Sequence, residues 1–335
     1  MILSICIPSY NRGKRALQLV NELLPMLDEF LNDLEVIVSN NGSTIGIEEY
    51  HVIRDINIKG LTYYEFDENQ MYLGNFNQVI KLAKGDFCLI VSDEDHIDSD
   101  GIRYYIGLLK NNSDIGLVRA KTSMTYSNQE NNIYLKQGKE AISDYFLIGS
   151  YISGIIYNRK IVTNELIDNL YNTYKIKTDN RAYFWYPHLF VDAYVMLNSD
   201  IIKCSKLLVI EGEDNCDQLR DESTRILAYG TYEDRLRQAK GFLEFLSNQK
   251  QNDGLMLKIV TMIIDKTYVL IYTQAQTYRK FGIEYDFILE KVEEELKNMI
   301  RVIPIPIVTT NIELVDEYIE AVRESYYREW NSVSG

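Results

Sequence analysis

Asp93, Glu94 and Asp95 follow, after Ser92, on an apolar run at residues 87–91. In an extended segment, residues two apart point the same way, so Asp93 and Asp95 can face one site. Two carboxylates on one side suit a hard divalent cation, Mg²⁺ or Mn²⁺, that also binds phosphate oxygens and water. Such a cation would neutralise a diphosphate leaving group. Glu94 points the opposite way on this reading. An acidic triplet is also the pattern of a solvated turn capping a helix, here the one expected from Ile102. Two further polar clusters accompany it: Ile7-Pro8-Ser9-Tyr10-Asn11-Arg12 and Val38-Ser39-Asn40-Asn41-Gly42-Ser43. Tyr10 can stack on a nucleobase, as aromatic side chains do on unpaired bases. Asn11 can cap a helix. The Asn40 amide can both donate to and accept from a base edge, and Gly42 supplies the positive φ of a turn.

These clusters need strands to carry them to one edge. Residues 3–7, 34–38, 61–66, 87–91 and 115–119 are short apolar runs that read as buried strands. Residues 14–31 carry Leu17, Val20, Leu24, Leu27 and Leu31 at helical spacing, and residues 75–83 and 102–109 are also helical. This alternation predicts an α/β fold, a Rossmann-like, mostly parallel sheet with helices on both faces. Such sheets bind ligands beyond the carboxyl ends of their strands, and all three clusters fall at such ends. After residue 120 the pattern loosens. Residues 151–157 and 201–210 are strand-like, and residues 183–197 are helical. From about residue 224 the spacing is helical throughout, over residues 225–246, 255–278, 285–300 and 312–330, with Pro304 and Pro306 separating the last two.

Composition narrows the partners. The chain has 335 residues, 46% hydrophobic and 25% charged, enough for one large domain with an appendage or for two domains. Its net charge of -14 repels phosphate backbones, which argues against a nucleic-acid partner. Cys6, Cys88, Cys204 and Cys216 form no CxxC pair and read as small buried hydrophobes in a reducing compartment. The amino terminus lacks the basic start and long apolar stretch of a secretory signal, and the apolar run at 259–272 is broken by Asp265 and Lys266. A cytoplasmic location is expected, with peripheral contact to a membrane surface left open.

The three clusters in this order, with Gly74-Asn75-Phe76-Asn77-Gln78 and Ala83-Lys84-Gly85-Asp86 between the second and third, resemble the amino-terminal half of family 2 glycosyltransferases of the GT-A fold. The resemblance covers residues 1–120. It implies an inverting enzyme that moves a sugar from a nucleoside-diphosphate sugar, UDP-linked, to a hydroxyl of a glycan, lipid-linked or glycoprotein acceptor, with Mn²⁺ or Mg²⁺. By motif position Pro8, Tyr10, Asn11, Arg12, Asn40, Asn41 and Asn75 belong to the donor site, and Glu94 is grouped with them. Asp93 falls near the ribose or donor sugar and is a second candidate metal ligand beside Asp95. Asn40 stands where the family usually has a base-binding aspartate.

The family's general base lies at a helix start in the later half, often in a Glu-Asp pair that this chain lacks. Asp192, in Tyr186-Pro187-His188-Leu189-Phe190-Val191-Asp192, is the candidate, and His188 is the alternative. Four apart, they share a helix face. Glu211-Gly212-Glu213-Asp214 is either a further ligand source or a solvated turn.

The expected organisation is a GT-A domain over residues 1–222, with a nucleotide-sugar half to 120 and an acceptor half from 121, followed by a helical region over 223–335. That region is the expected place for self-association or membrane contact. Two other activities fit the same carboxylates. A nucleotidyltransferase acting on a sugar phosphate would place a glycine- and basic-rich loop where Pro8-Ser9-Tyr10-Asn11-Arg12 stands. A glycosyltransferase-like scaffold without catalysis would explain Asn40 and the missing Glu-Asp pair.

Overall fold

The computed structural model describes residues 1–123, 130–145, 151–212, 230–275 and 285–334. Cys216, Glu213 and Asp214, and the expected helical stretches at 225–229 and 276–278, lie outside the described residues. The chain divides into two compact units, one of Met1–Asn172 with Tyr186–Asp214 and one of Thr173–Trp185 with Asn215–Gly335.

In the first unit, strands β1 (Leu3–Ser9), β2 (Leu34–Asn40), β3 (Leu61–Glu65), β4 (Phe87–Ile90), β5 (His96–Ile97), β6 (Leu117–Thr122), β7 (Ile133–Leu135), β8 (Ile155–Asn158) and β9 (Ile201–Ile210) make one sheet. Its order is β3-β2-β1-β4-β8-β6-β9-β5, with β7 also paired to β9. Strands β1 to β4 are parallel, and so are β6 and β9. Strand β8 runs antiparallel between β4 and β6, and β5 and β7 run antiparallel to β9. The sheet is therefore mostly parallel, as the βαβα pattern requires.

The helices are α1 (Gly13–Glu29), α2 (Ile47–Asp55), α3 (Met71–Leu82), α4 (Ser99–Asn111), α5 (Lys139–Tyr145), α6 (Asn164–Leu170), α7 (Arg181–Trp185), which belongs to the second unit, and α8 (Pro187–Asn198). Leu19, Val20 and Leu23 of α1 and Ile102, Tyr105 and Leu109 of α4 share one core with Leu3, Ile5, Ile7, Val36, Val38 and Leu89 of the sheet. Cys6 has the opposite parity in β1, and its thiol reaches the Val79 carbonyl of α3 at 3.5 Å. Helices thus cover both faces, and this is why β1 and β2 read as continuous rather than alternating apolar runs. Cys6, Cys88 and Cys204 are buried free thiols.

The structure corrects several boundaries. Strand β1 continues through Pro8 to Ser9. The Cys6 carbonyl makes the last bond to β4, at Val91 N–H, and residues two apart in a parallel strand face the same neighbour. The N–H that Pro8 lacks would therefore point where β4 has already left the ladder. The strand expected over 151–157 is only Ile155–Asn158. The helix expected over 183–197 is two helices broken at Tyr186, because a residue before proline avoids the helical region and Pro187 is suited to open a new helix.

Among the described residues, the second unit is helical: α7, α9 (Tyr232–Ser247), α10 (Asp253–Tyr272), α11 (Tyr285–Val302), α12 (Pro306–Thr310) and α13 (Ile312–Ser334). Thr231 and Asn252 cap α9 and α10 through their side-chain oxygens. Leu243, Leu246, Ile263, Val292, Leu296 and Ile319 are among its buried residues, and Tyr268 stacks on Tyr326 at 5.9 Å between ring centres. None of the described helices is long and apolar enough to cross a membrane.

Candidate active site

Strand β1 is followed in the chain by β2 and β3 on one side of it and later by β4 on the other. The strand order reverses between β1 and β4, and in parallel sheets ligands bind at the carboxyl ends of the two strands flanking such a switch point. Ser9 ends β1 there and spans the gap. Its hydroxyl donates to Asp93 Oδ2 at 2.5 Å and also shares a hydrogen bond with Tyr50 Oη. Arg12 Nη1 reaches Asp93 Oδ1 at 2.9 Å and Glu94 Oε2 at 2.8 Å, and Arg15 lies 3.7 Å from Glu94.

The Asp93–Asp95 segment is a turn, closed by Asp95 N–H on the Ser92 carbonyl, rather than an extended stretch. The turn changes the expected pairing. Asp93 and Glu94 share one guanidinium, whereas Asp95 takes other partners: Ser153 Oγ donates to its Oδ2 at 2.5 Å, and Gly212 N–H to its Oδ1 at 3.1 Å. Helix α4 is capped by Asp98, so the triplet is not consumed as a helix cap.

Ser153 and Gly212 were not singled out as donors to Asp95 in the sequence. Ser153 precedes β8, whose antiparallel course starts beside the carboxyl end of β4. Gly212 follows β9, which β5 pairs back to the segment after Asp95. A Cβ at Gly212 would stand 1.6 Å from the Glu94 carbonyl oxygen, so this close approach requires glycine.

Burial of the Asp93 carboxyl (2% exposed) raises its pKa above the ordinary aspartate value, against the opposing pull of Arg12. Burial likewise raises Glu94, and burial together with the Asp95 carboxylate pushes up the Tyr151 phenol. A raised folded-state pKa means that folding favours the protonated acid. This contribution to stability is full below the unfolded value, about 3.9, and is lost as pH rises through the higher folded value. Asp93→Asn is therefore expected to raise the melting temperature at neutral pH and to flatten the loss of stability that sets in as pH rises above about 4. Thermal unfolding as a function of pH tests it, and an unchanged pH profile would reject the assignment.

The asparagines predicted to touch the nucleoside are used mainly to tie the rim loops together. Asn11 Oδ1 accepts from Thr44 and Ile45 N–H, with Asn11 itself at φ 56°, and it does not cap α1. Asn41 donates to Asn69 Oδ1 and the Met71 carbonyl and accepts from Gln70 N–H. Asn75, buried in α3, donates to the carbonyls of both Ser9 and Ser39 and so joins the ends of β1 and β2. Asn40 is fully engaged too, with its oxygen on Ser43 N–H and its nitrogen on Tyr63 Oη and Glu65 Oε1. Pro8, Tyr10 and Arg12 are partly exposed at the same rim.

Asp192 and His188 do lie on one helix, α8, but both are sealed in the core, at 0% and 2% exposure. Asp192 accepts from Tyr157 Oη at 2.6 Å, and His188 packs against the ring of Phe76. Tyr157 pairs in register with Cys88, five residues before Asp93. Asp93 and Asp95 are as deeply buried, at 2% exposure, but stand at the strand-end crevice, whereas Asp192 and His188 lie on α8 against Tyr157 and Phe76. The sequence spacing did not reveal this, because α8 is apolar on every side of its middle turns.

The Asp95 carboxylate, 2% exposed, accepts from Ser153 and Gly212, with the Tyr151 phenol also beside it, and all three neighbours are uncharged groups. That leaves a negative charge for Mg²⁺ or Mn²⁺. Asp93 fits a metal less well, because Arg12 already balances its charge. Among the described residues no group of three or more His, Cys, Asp or Glu side chains could hold a metal ion.

Residues 4–182, more than half of the chain, match the family described as glycosyl transferase family 2. Abequosyltransferase RfbV of Salmonella typhimurium is 32% identical over 124 residues, which is 36% of this chain and 36% of that protein. The likeness therefore spans about a third of the relative's length. Staphylococcus aureus TarS 1-349 in complex with UDP-GlcNAc superposes over 98% of this chain and 90% of its own, with TM-score 0.64 and 17% identity. Its complex with UDP gives TM-score 0.62 at 15% identity, over 98% and 89%. At those identities the likeness is one of fold. That likeness of fold runs over nearly the whole chain, and with residues 4–182 matching its model the chain belongs to glycosyl transferase family 2, with the GT-A fold.

Proposed function

We propose that this chain transfers a sugar with inversion from a nucleoside-diphosphate sugar to a hydroxyl of a saccharide or glycoconjugate, with Mn²⁺ or Mg²⁺ at Asp95. The observation that carries the reading is the division of labour at the β1/β4 crevice. Asp93 is neutralised by Arg12, while Asp95 is held by two uncharged donors and keeps its charge for a cation. A metal bound there supplies positive charge to the diphosphate as it leaves. The remaining work belongs to the chain. Ser9 and Arg12 hold Asp93 rigidly at the rim, where it can accept from a ribose or donor-sugar hydroxyl. Tyr10, partly exposed beside them, offers a face on which a base can stack. In the transfer, the acceptor oxygen forms a bond to the sugar's anomeric carbon as the bond to the diphosphate oxygen breaks; the electron pair leaves with the diphosphate and the hydroxyl proton is released to a base. The UDP-GlcNAc seen with a protein of the same fold supports a uridine nucleotide as the first donor to try.

Titration calorimetry of the full chain with UDP, CDP, GDP and ADP, with and without Mn²⁺, is the direct test. Binding of one nucleotide that tightens with Mn²⁺ is expected. If no nucleoside diphosphate binds, with or without metal, the donor-site reading fails.

A further inference from the structure

Resting on that donor-site reading, we infer that the nucleobase is read by Glu65, with Asn40 and Tyr63 as the residues that position it. Asn40, at the end of β2, is 1% exposed and its amide is committed. Its oxygen accepts from Ser43 N–H at 3.1 Å, which fixes the amide orientation and turns its nitrogen toward β3. That nitrogen donates to Glu65 Oε1 at 3.1 Å and to Tyr63 Oη at 3.0 Å, and Tyr63 Oη donates to Glu65 Oε2 at 3.2 Å. Burial pushes the Tyr63 phenol up to about 12, so it remains a donor. Each carboxylate oxygen of Glu65 is thus held by one buried or half-buried donor, while Glu65 itself is exposed. Two of its roughly four acceptor positions are used. The others are open to solvent at the carboxyl end of β3.

Position supports the same role. Asn40 and Glu65 are register partners at the ends of β2 and β3, on the rim that carries Ser9 and Asp93. Strands β3 and β4 are three strand spacings apart in the sheet order, about 14 Å. That span is on the order of the length of a nucleoside diphosphate whose phosphates lie toward Asp95. At the far end, a base presents a ring or exocyclic N–H on its pairing edge, and a fixed carboxylate accepts it. The accepting charge at the base end is carried by Glu65 of β3, oriented through the amide of Asn40.

The test is calorimetry of the full chain in Mn²⁺ with UDP, CDP, GDP and ADP, and with inorganic pyrophosphate as a probe of the phosphate end. Glu65→Gln keeps the shape of an exposed side chain. It is expected to weaken the preferred nucleotide about tenfold or more, to flatten the ranking among the four, and to leave pyrophosphate unchanged. Asn40→Asp sets a second carboxylate against Glu65 and should also weaken the preferred nucleotide. Unchanged affinity and ranking in Glu65→Gln, or tighter binding in Asn40→Asp, would overturn the assignment. Failure of all four nucleotides to bind the wild-type chain would instead remove the donor-site reading on which it rests.

Discussion

Asp95→Asn is expected to lower sugar transfer by about 10²–10⁴-fold at saturating donor and acceptor, the rate equivalent of the several kcal/mol that a metal's charge contributes at a leaving group. The substitution keeps the size of the side chain and removes the charge that Ser153 and Gly212 leave unneutralised. It also points an amide N–H at a site built of donors, so part of the local order is lost with it. The readout is turnover as a function of Mn²⁺ or Mg²⁺, with circular dichroism confirming the fold. Wild-type turnover should rise and saturate with metal, and the variant should stay low at every concentration. Undiminished turnover in Asp95→Asn would mean that the cation, if the reaction uses one, is held elsewhere.

Arg12→Met should destabilise the first unit by about 3 kcal/mol. Removing one partner of a buried ion pair typically costs about 3–5 kcal/mol, and Arg12 is partly exposed, which places it at the low end. Methionine keeps much of the apolar stem, so the loss is electrostatic: Asp93 keeps the Ser9 hydroxyl but loses the guanidinium, with Glu94 as a like-charged neighbour. For a unit of this size the melting temperature should fall by about 6–12 °C. Adding Asp93→Asn removes the stranded charge and should restore most of the stability, while donor binding stays weak in both variants. A double variant no more stable than Arg12→Met alone would show that the Arg12 side chain acts by packing rather than by pairing with Asp93.

What could be read from residues alone was whatever depends on local pattern. Apolar runs 3–7, 34–38 and 87–91 stand for strands buried on both faces, and 3.6-residue spacing marks α1 and α4. The alternation of the two leaves few sheets to choose from, so the parallel order and the arrival of Ser9, Asn40 and Asp93 at one rim followed. Details failed where a local preference met a specific neighbour. Pro8 continues a strand because β4 departs beside it. Tyr186 breaks a helix whose apolar spacing runs straight through, because the proline after it excludes the helical backbone.

The sequence by itself determined the family, the parallel half of the sheet and the place of the acidic triplet at a strand end, since each rests on residue types at fixed short spacings; that the triplet is a turn and not an extended stretch it did not show. Only the tertiary structure decided which groups those acids meet. Ser153 and Gly212 come to Asp95 from segments 58 and 117 residues away. Glu65 meets Asn40 across two strands, and Asp192 disappears beneath Tyr157. Hydrogen-bond partners and solvent access of this kind depend on strand register and on the antiparallel insertion of β8. These are set by the summed packing of the sheet, and no local run of residues encodes them.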